Sequence, residues 1–161
     1  MNLARFSVKN LLGMATRAEI DANRTYLKLA GRVKNPLLQE KFRILAFEEK
    51  KHRTILEKLF SLLYHCQKPV IPASVDEALL PAVLIKPSSS LADILYQAMK
   101  SEESAQRFYL GIARRMKGDK KKILEYLSKV EKSHFMMLKS EYSLALEFED
   151  YAEKDVDKVV T

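Results

Sequence analysis

At 161 residues, 47% hydrophobic and 30% charged, the chain is long enough to bury a core as one domain, and its four Gly and five Pro favour long helices over a strand-rich fold. No apolar run approaches bilayer-spanning length, residues 1–10 hold no apolar stretch of signal-peptide type, and the lone Cys66 excludes an intrachain disulfide or a four-cysteine iron–sulfur site; a cytoplasmic protein without membrane contact is expected. The net charge of +7 is spread along the whole chain, with local clusters at 50–53 and 114–122. No aromatic-interleaved basic stripe accompanies it, so it implies a solvated basic surface rather than a nucleic-acid partner.

Ser7 can cap a first helix that runs to about Val33, where Gly31 and Asn35-Pro36 break it. A second helix is expected from Pro36 to about Cys66, with Phe42, Leu45, Ala46, Ile55, Leu56, Leu59 and Leu63 at helical spacing. Residues 67–90 change character: Pro69, Pro72, Pro81, Pro87 and Ser88-Ser89-Ser90 make a linker, with one short helical turn at 76–80. Ser90 can cap a third helix to about Lys117. Gly118-Asp119 then reads as a tight junction into a fourth helix, about 120–150, and 151–161 as a frayed acidic-leaning tail. The chain thus reads as two helical hairpins, about 7–66 and 90–150, in an all-α four-helix bundle. A linker of this length, at roughly 3.3 Å per extended residue, can run the full length of a helix of about 40 Å. That suits a crossover connection rather than simple up-and-down topology.

The hairpins repeat one another. Glu19, Glu49 and His52 recur as Glu102, Glu131 and His134, displaced by 82 or 83 residues, and the flanking Ala22, Arg24 and Tyr26 recur as Ala105, Arg107 and Tyr109. Glu49 and His52 are three apart and share a helix face, as do Glu131 and His134. Four carboxylates and two imidazoles on four helices are the ligand set of a di-iron or di-manganese carboxylate centre. A carboxylate-rich, nitrogen-poor set suits iron or manganese better than copper or structural zinc. An isolated E-x-x-H on a lysine-rich helix is weak, but here two of the three histidines have Glu at i−3 in repeat-related positions, whereas His65 has Leu62 there and reads as a helix-end residue. Of the neighbouring acids, Glu48 lacks the i+3 spacing to His52 and Glu103 lacks the repeat's Ala and Tyr spacing, so Glu49 and Glu102 are the candidates. Tyr26 and Tyr109 lie two turns beyond Glu19 and Glu102. Each is either a core tyrosine with a satisfied hydroxyl or a partner to a ligand carboxylate or bound oxygen species.

The pattern E-x-x-A-x-x-x-Y followed by E-K-x-H, in duplicate over residues 7–146, resembles the rubrerythrin group of the ferritin-like superfamily. The resemblance implies a ferritin-like bundle with Glu49 and Glu131 bridging two metals, Glu19 and Glu102 terminal, and His52 and His134 each on one iron. It also implies a non-haem di-iron oxidoreductase acting on peroxide or O2, or a protein that oxidises ferrous iron. Rubrerythrins proper carry a rubredoxin domain with paired C-x-x-C motifs. With one cysteine here, electrons are expected from a separate donor protein. They also carry another Glu one turn after the third-helix ligand, where this chain has Ala105.

Three functions follow as expectations. The first is a di-iron oxidoreductase, with manganese or a mixed pair as the metal alternatives and Tyr26 and Tyr109 as proton donors. The second is Fe(II) binding and oxidation without reductant turnover. The third is a basic helical binding module in which the metal is structural. A homodimer is compatible with all three.

Overall fold

The computed structural model describes residues 3–86 and 88–159, with side chains up to Phe148. Four helices follow in order: α1 (Val8–Arg32), α2 (Pro36–Leu63), α3 (Leu91–Ala113) and α4 (Gly118–Val159), and no strand occurs among the described residues. Their starts are set by local chemistry. Ser7 accepts from the Asn10 N–H (3.1 Å), and Asn35 accepts from Leu37 and Leu38 with Pro36 at the first helical position. Ser90 and Asp93 form a reciprocal capping box.

The helix ends depart from expectation. α2 stops at Leu63 rather than near Cys66, because His65 and Cys66 adopt left-handed backbone (φ +50° and +62°) and the Cys66 N–H closes onto the Ser61 carbonyl at 2.9 Å. Such closing turns usually use Gly or Asn, and neither is present to announce this one. α3 ends at Ala113, where Arg115 and Met116 bond the Ile112 and Ala113 carbonyls in tighter i−3 turns. Gly118 takes φ +59°, the conformation for which a Cβ is unfavourable. α4 continues to Val159, through residues 151–159 where a frayed tail was expected; the sequence there holds neither Gly nor Pro to stop it.

Two apolar layers close the bundle. One joins Leu11 of α1, Phe60 of α2, Ile112 of α3 and Leu124 of α4; the other joins Leu29, Phe42, Leu95 and Leu138. The start of α1 therefore meets the ends of α2 and α3 and the start of α4, so α1–α2, α3–α4, α1–α3 and α2–α4 are antiparallel pairs. Each hairpin packs tightly within itself, while α1 faces α3 and α2 faces α4 at longer range. Burying each such Leu or Phe stabilises the fold by about 1.5–3 kcal/mol. Because α2 ends in the first layer and α3 begins in the second, the linker must traverse the bundle. It does so with Leu79 buried in the first layer and Val83 and Ile85 against the second. Its turn at Asp76 is closed by the Leu79 and Leu80 N–H groups donating to the Asp76 carbonyl. The chain lies hard against α1 at Gly13, where a Cβ would fall 2.3 Å from the Val70 carbonyl oxygen.

Candidate metal centre

Between the two apolar layers the helices turn polar side chains inward. Glu19, Glu49, His52, Glu102, Glu131 and His134 are all buried, none more than 4% exposed. Ionisable groups at that depth are costly unless paired or bound to metal. They form two overlapping groups, Glu19–Glu49–His52–Glu131 and Glu49–Glu102–Glu131–His134, with the four donor atoms of each within 4.8 Å of one another. Glu49 and Glu131 belong to both, Glu19 and Glu102 to one each, and each histidine to one. All six candidate ligands are thus brought together, each from its own helix position.

The two imidazoles lie 5.5 Å apart, stacked at 19°, and both present Nδ1 to the carboxylates. His52 Nδ1 is 2.9 Å from Glu131 Oε1 and 3.0 Å from Glu49 Oε2; His134 Nδ1 is 3.2 Å from Glu131 Oε2 and from Glu49 Oε1. Short as some of these contacts are, His52 Nδ1, Glu49 Oε1 and Glu131 Oε1 are buried without an aligned hydrogen-bond partner. Buried polar atoms that crowd a common point yet are left unpaired fit an ion placed among them. The donor set, four carboxylates against two imidazoles, fits hard to borderline divalent ions such as iron or manganese.

The electrostatics agree. Burial, then repulsion from Glu49, pushes the Glu19 carboxyl up to about 8. Burial and the Glu19 and Glu102 charges push Glu131 up to about 7. Burial also opposes ionisation of Glu102, but the His134 imidazole 3.6 Å away and the Tyr26 hydroxyl bonded to it carry the net shift below the ordinary carboxylate range. Burial disfavours the His52 cation, yet Glu131, Glu19 and Glu49 around it raise it to about 12, and His134 is raised likewise. Without metal, protons occupy this site, so ion binding must release them.

The tyrosines cross between hairpins. Tyr26 of α1 donates to Glu102 of α3, and Tyr109 of α3 donates to Glu19 of α1. Burial and the adjacent carboxylates raise both phenols well above their ordinary value, so each keeps its proton. The spacing of Tyr26 from Glu19 and of Tyr109 from Glu102 gave the face and left the partner open. That partner is the other hairpin's ligand candidate.

Glu48 is the residue that sequence reasoning set aside. Its Oε2 lies 3.2 Å from His134 Nε2, the nitrogen facing away from the carboxylates, and this bond holds the Glu48 carboxyl below its ordinary value. A carboxylate on the outer nitrogen fixes a ligating imidazole's orientation and strengthens it as a donor. The repeat could not reveal Glu48, because its counterpart in the second hairpin is Val130. Glu103, by contrast, pairs with Lys100 and Arg107 outside the cluster.

Two openings reach the centre. A cavity of about 200 Å³ lies between α1 and α3 beneath linker residues 74–83, and its floor includes Glu19, Glu49, Glu102 and Glu131. A groove between α1 and α2 reaches Glu19 past Arg24, Arg43, Lys50 and Arg53.

Fold and site together define a ferritin-like helical bundle of the di-metal carboxylate class. The rubrerythrin family profile matches residues 10–142 and, a second time, residues 93–155, as suits a chain of two related hairpins, and the chain belongs to that family. A Pyrococcus furiosus protein described as hypothetical is 35% identical, with a TM-score of 0.78 over 91% of this chain and 95% of that one. The manganese catalase KatB of Anabaena PCC7120 shares the fold at 16% identity, with a TM-score of 0.63 over 89% of this chain and 77% of that one. Among curated proteins none matches the chain. No helix among the described residues is long and apolar enough to cross a membrane.

Proposed function

We propose that this chain is a di-iron oxidoreductase that reduces peroxide or O2 with electrons from a separate donor protein. The observation that carries the reading is the pair of overlapping ligand groups that share Glu49 and Glu131. Glu49 and Glu131 would be shared between two ions, with Glu19 and His52 holding one and Glu102 and His134 holding the other. A bound metal pair would orient the oxidant, stabilise developing charge and supply electrons.

The chain's own residues account for the rest. Four carboxylates would offset the charge of two divalent ions between two apolar layers, which leave the cavity under the linker and the α1–α2 groove as the ways in. Tyr109 and Tyr26 hold Glu19 and Glu102 in place, and each keeps a proton on its phenolic oxygen beside the reacting centre. Glu48 fixes His134, and among the described residues no carboxylate takes the same place on the outer nitrogen of His52, so the two sites are unequal. The cavity under the linker gives a small molecule access, and the basic groove past Arg24 and Lys50 offers an acidic redox protein a face close to Glu19.

The test is to load the protein anaerobically with Fe(II) and follow oxidation by H2O2 and by O2 in separate stopped-flow experiments, then add a reductant and look for turnover. Repeated cycles with either oxidant are expected. A single oxidation that no reductant reverses would leave iron binding and oxidation as the function. No oxidation by either would refute the reading.

A further inference from the structure

The cavity is larger and more apolar than H2O2 or O2 requires. A water molecule occupies about 30 Å³ in the liquid, whereas a dry cavity of about 150 Å³ holds benzene. The cavity here is about 200 Å³. Its walls are built by Ala22 and Ala105 from the helices and by Val75, Leu80, Pro81 and Val83 from the linker. The two alanines are the repeat-related small residues of the E-x-x-A pattern, three positions after Glu19 and Glu102. On a helix, three positions is one turn on the same face, so each hairpin places its alanine beside its terminal carboxylate. The repeat therefore supplies both the candidate ligands and an open apolar space above them.

The charges select among guests. Asp21 and Glu77 join Glu19, Glu49, Glu102 and Glu131 around the cavity, and the one lining cation, Arg17, is already engaged with Asp21 at 2.7 Å. With metal offsetting the four floor carboxylates and Arg17 paired with Asp21, Glu77 is the charge left on the cavity wall, and it disfavours an anionic guest. An uncharged molecule with a short apolar body meets alanine, valine, leucine and proline.

We propose that this cavity is a binding site for the apolar body of a small uncharged alkyl hydroperoxide, lodged between Ala22, Ala105 and the linker with its O–O group toward the Glu19–Glu102 floor. The proposal rests on the oxidoreductase reading and names its substrate class. Reduction of such a molecule breaks the O–O bond and gives an alcohol and water, consuming two protons and the two electrons of a ferrous pair.

The experiment has two readouts. Saturation-transfer NMR on the metal-loaded protein measures binding of tert-butanol, the product alcohol of tert-butyl hydroperoxide. Stopped-flow oxidation of the Fe(II)-loaded protein compares tert-butyl hydroperoxide with H2O2. Ala105→Leu fills the cavity from the helix side, and Val83→Phe fills it from the linker, outside any helix, should the first variant fail to fold. Each should weaken the tert-butanol signal at least fivefold. Each should also lower the ratio of tert-butyl hydroperoxide to H2O2 rates by about tenfold, the low end of what a methylene or more decides in an apolar pocket. Unchanged tert-butanol binding, or an unchanged rate ratio with both metals retained, would overturn the proposal while oxidation by H2O2 left the reaction itself standing. Loss of tert-butanol binding in the variants, in a protein that no oxidant oxidises, would keep the cavity's ligand and defeat the reaction.

Discussion

Removing the metals should make the fold sensitive to pH in one direction. Glu19 ionises only near 8 in the metal-free fold and Glu131 near 7, against an ordinary 4.5. Both groups hold protons in the native state that the unfolded chain has already lost. Stability from those protonated forms is therefore full below about pH 4.5 and drains away as pH rises to about 8. His52, raised from 6.5 to about 12, loses its contribution in the same direction above pH 6.5. Glu102 is shifted the other way, and its contribution changes only below 4.5, outside the window. At 1.36 kcal/mol per pH unit, Glu19 alone accounts for about 5 kcal/mol, a ceiling because the cluster titrates as a coupled set. We expect the metal-free protein to lose about 3–5 kcal/mol between pH 5 and 8.5. At about 2–4 °C per kcal/mol for a chain of this size, Tm should fall by about 10 °C. The metal-loaded protein should hold or gain Tm over the same range, because the ions bind better as protons leave. Calorimetry of both forms, with metal-free Glu19→Gln as a control whose pH slope is flattened, checks it. A metal-free Tm that stayed level or rose from pH 5 to 8.5 would refute the argument that these carboxyls share one crowded site.

Tyr26→Phe leaves the Glu102 carboxylate short of a donor and should cost about 1–3 kcal/mol of stability in chemical denaturation; Tyr109→Phe should do the same at Glu19, and two variants as stable as the parent would show that the phenols are mere packing. Gly13→Ala forces a Cβ to within 2.3 Å of the Val70 carbonyl. It should displace the linker and destabilise by about 1–3 kcal/mol, with faster proteolysis between 67 and 86; unaltered cleavage would mean that the linker does not depend on its contact with α1. Glu48→Ala removes the partner of His134 Nε2 and should weaken metal affinity at one site by about 10- to 100-fold, as loss of an outer partner typically does; two unchanged affinities in a metal titration would refute its role.

What the sequence made legible is what periodicity and duplication record. The ligand candidates stood out because each hairpin independently repeats Glu, Glu-x-x-His and their alanine and tyrosine neighbours. The crossover was legible because a proline-rich link too long for a tight turn separates the hairpins. Features that depend on contacts between hairpins were not. Glu48 reaches His134 across α2 and α4, and its counterpart Val130 breaks the repeat. Tyr26 finds Glu102 on α3 rather than a residue of its own helix, which no spacing along α1 encodes. The early ends of α2 and α3 escaped notice because residues other than Gly take up the closing turns. The cavity depends on where the linker lies, and only Gly13 among the sequence's glycines bears on that path.

Six side chains are proposed to hold two ions, with Glu49 and Glu131 shared between them. Anaerobic Fe(II) titration of the parent, His52→Ala and Glu131→Ala, with bound iron quantified after removal of free ion, tests it most directly. Two ions per parent chain are expected, with one ion retained at close to parent affinity in His52→Ala and both weakened in Glu131→Ala, because that carboxylate belongs to both groups. Two tightly bound ions in Glu131→Ala, or a single ion in the parent, would contradict it.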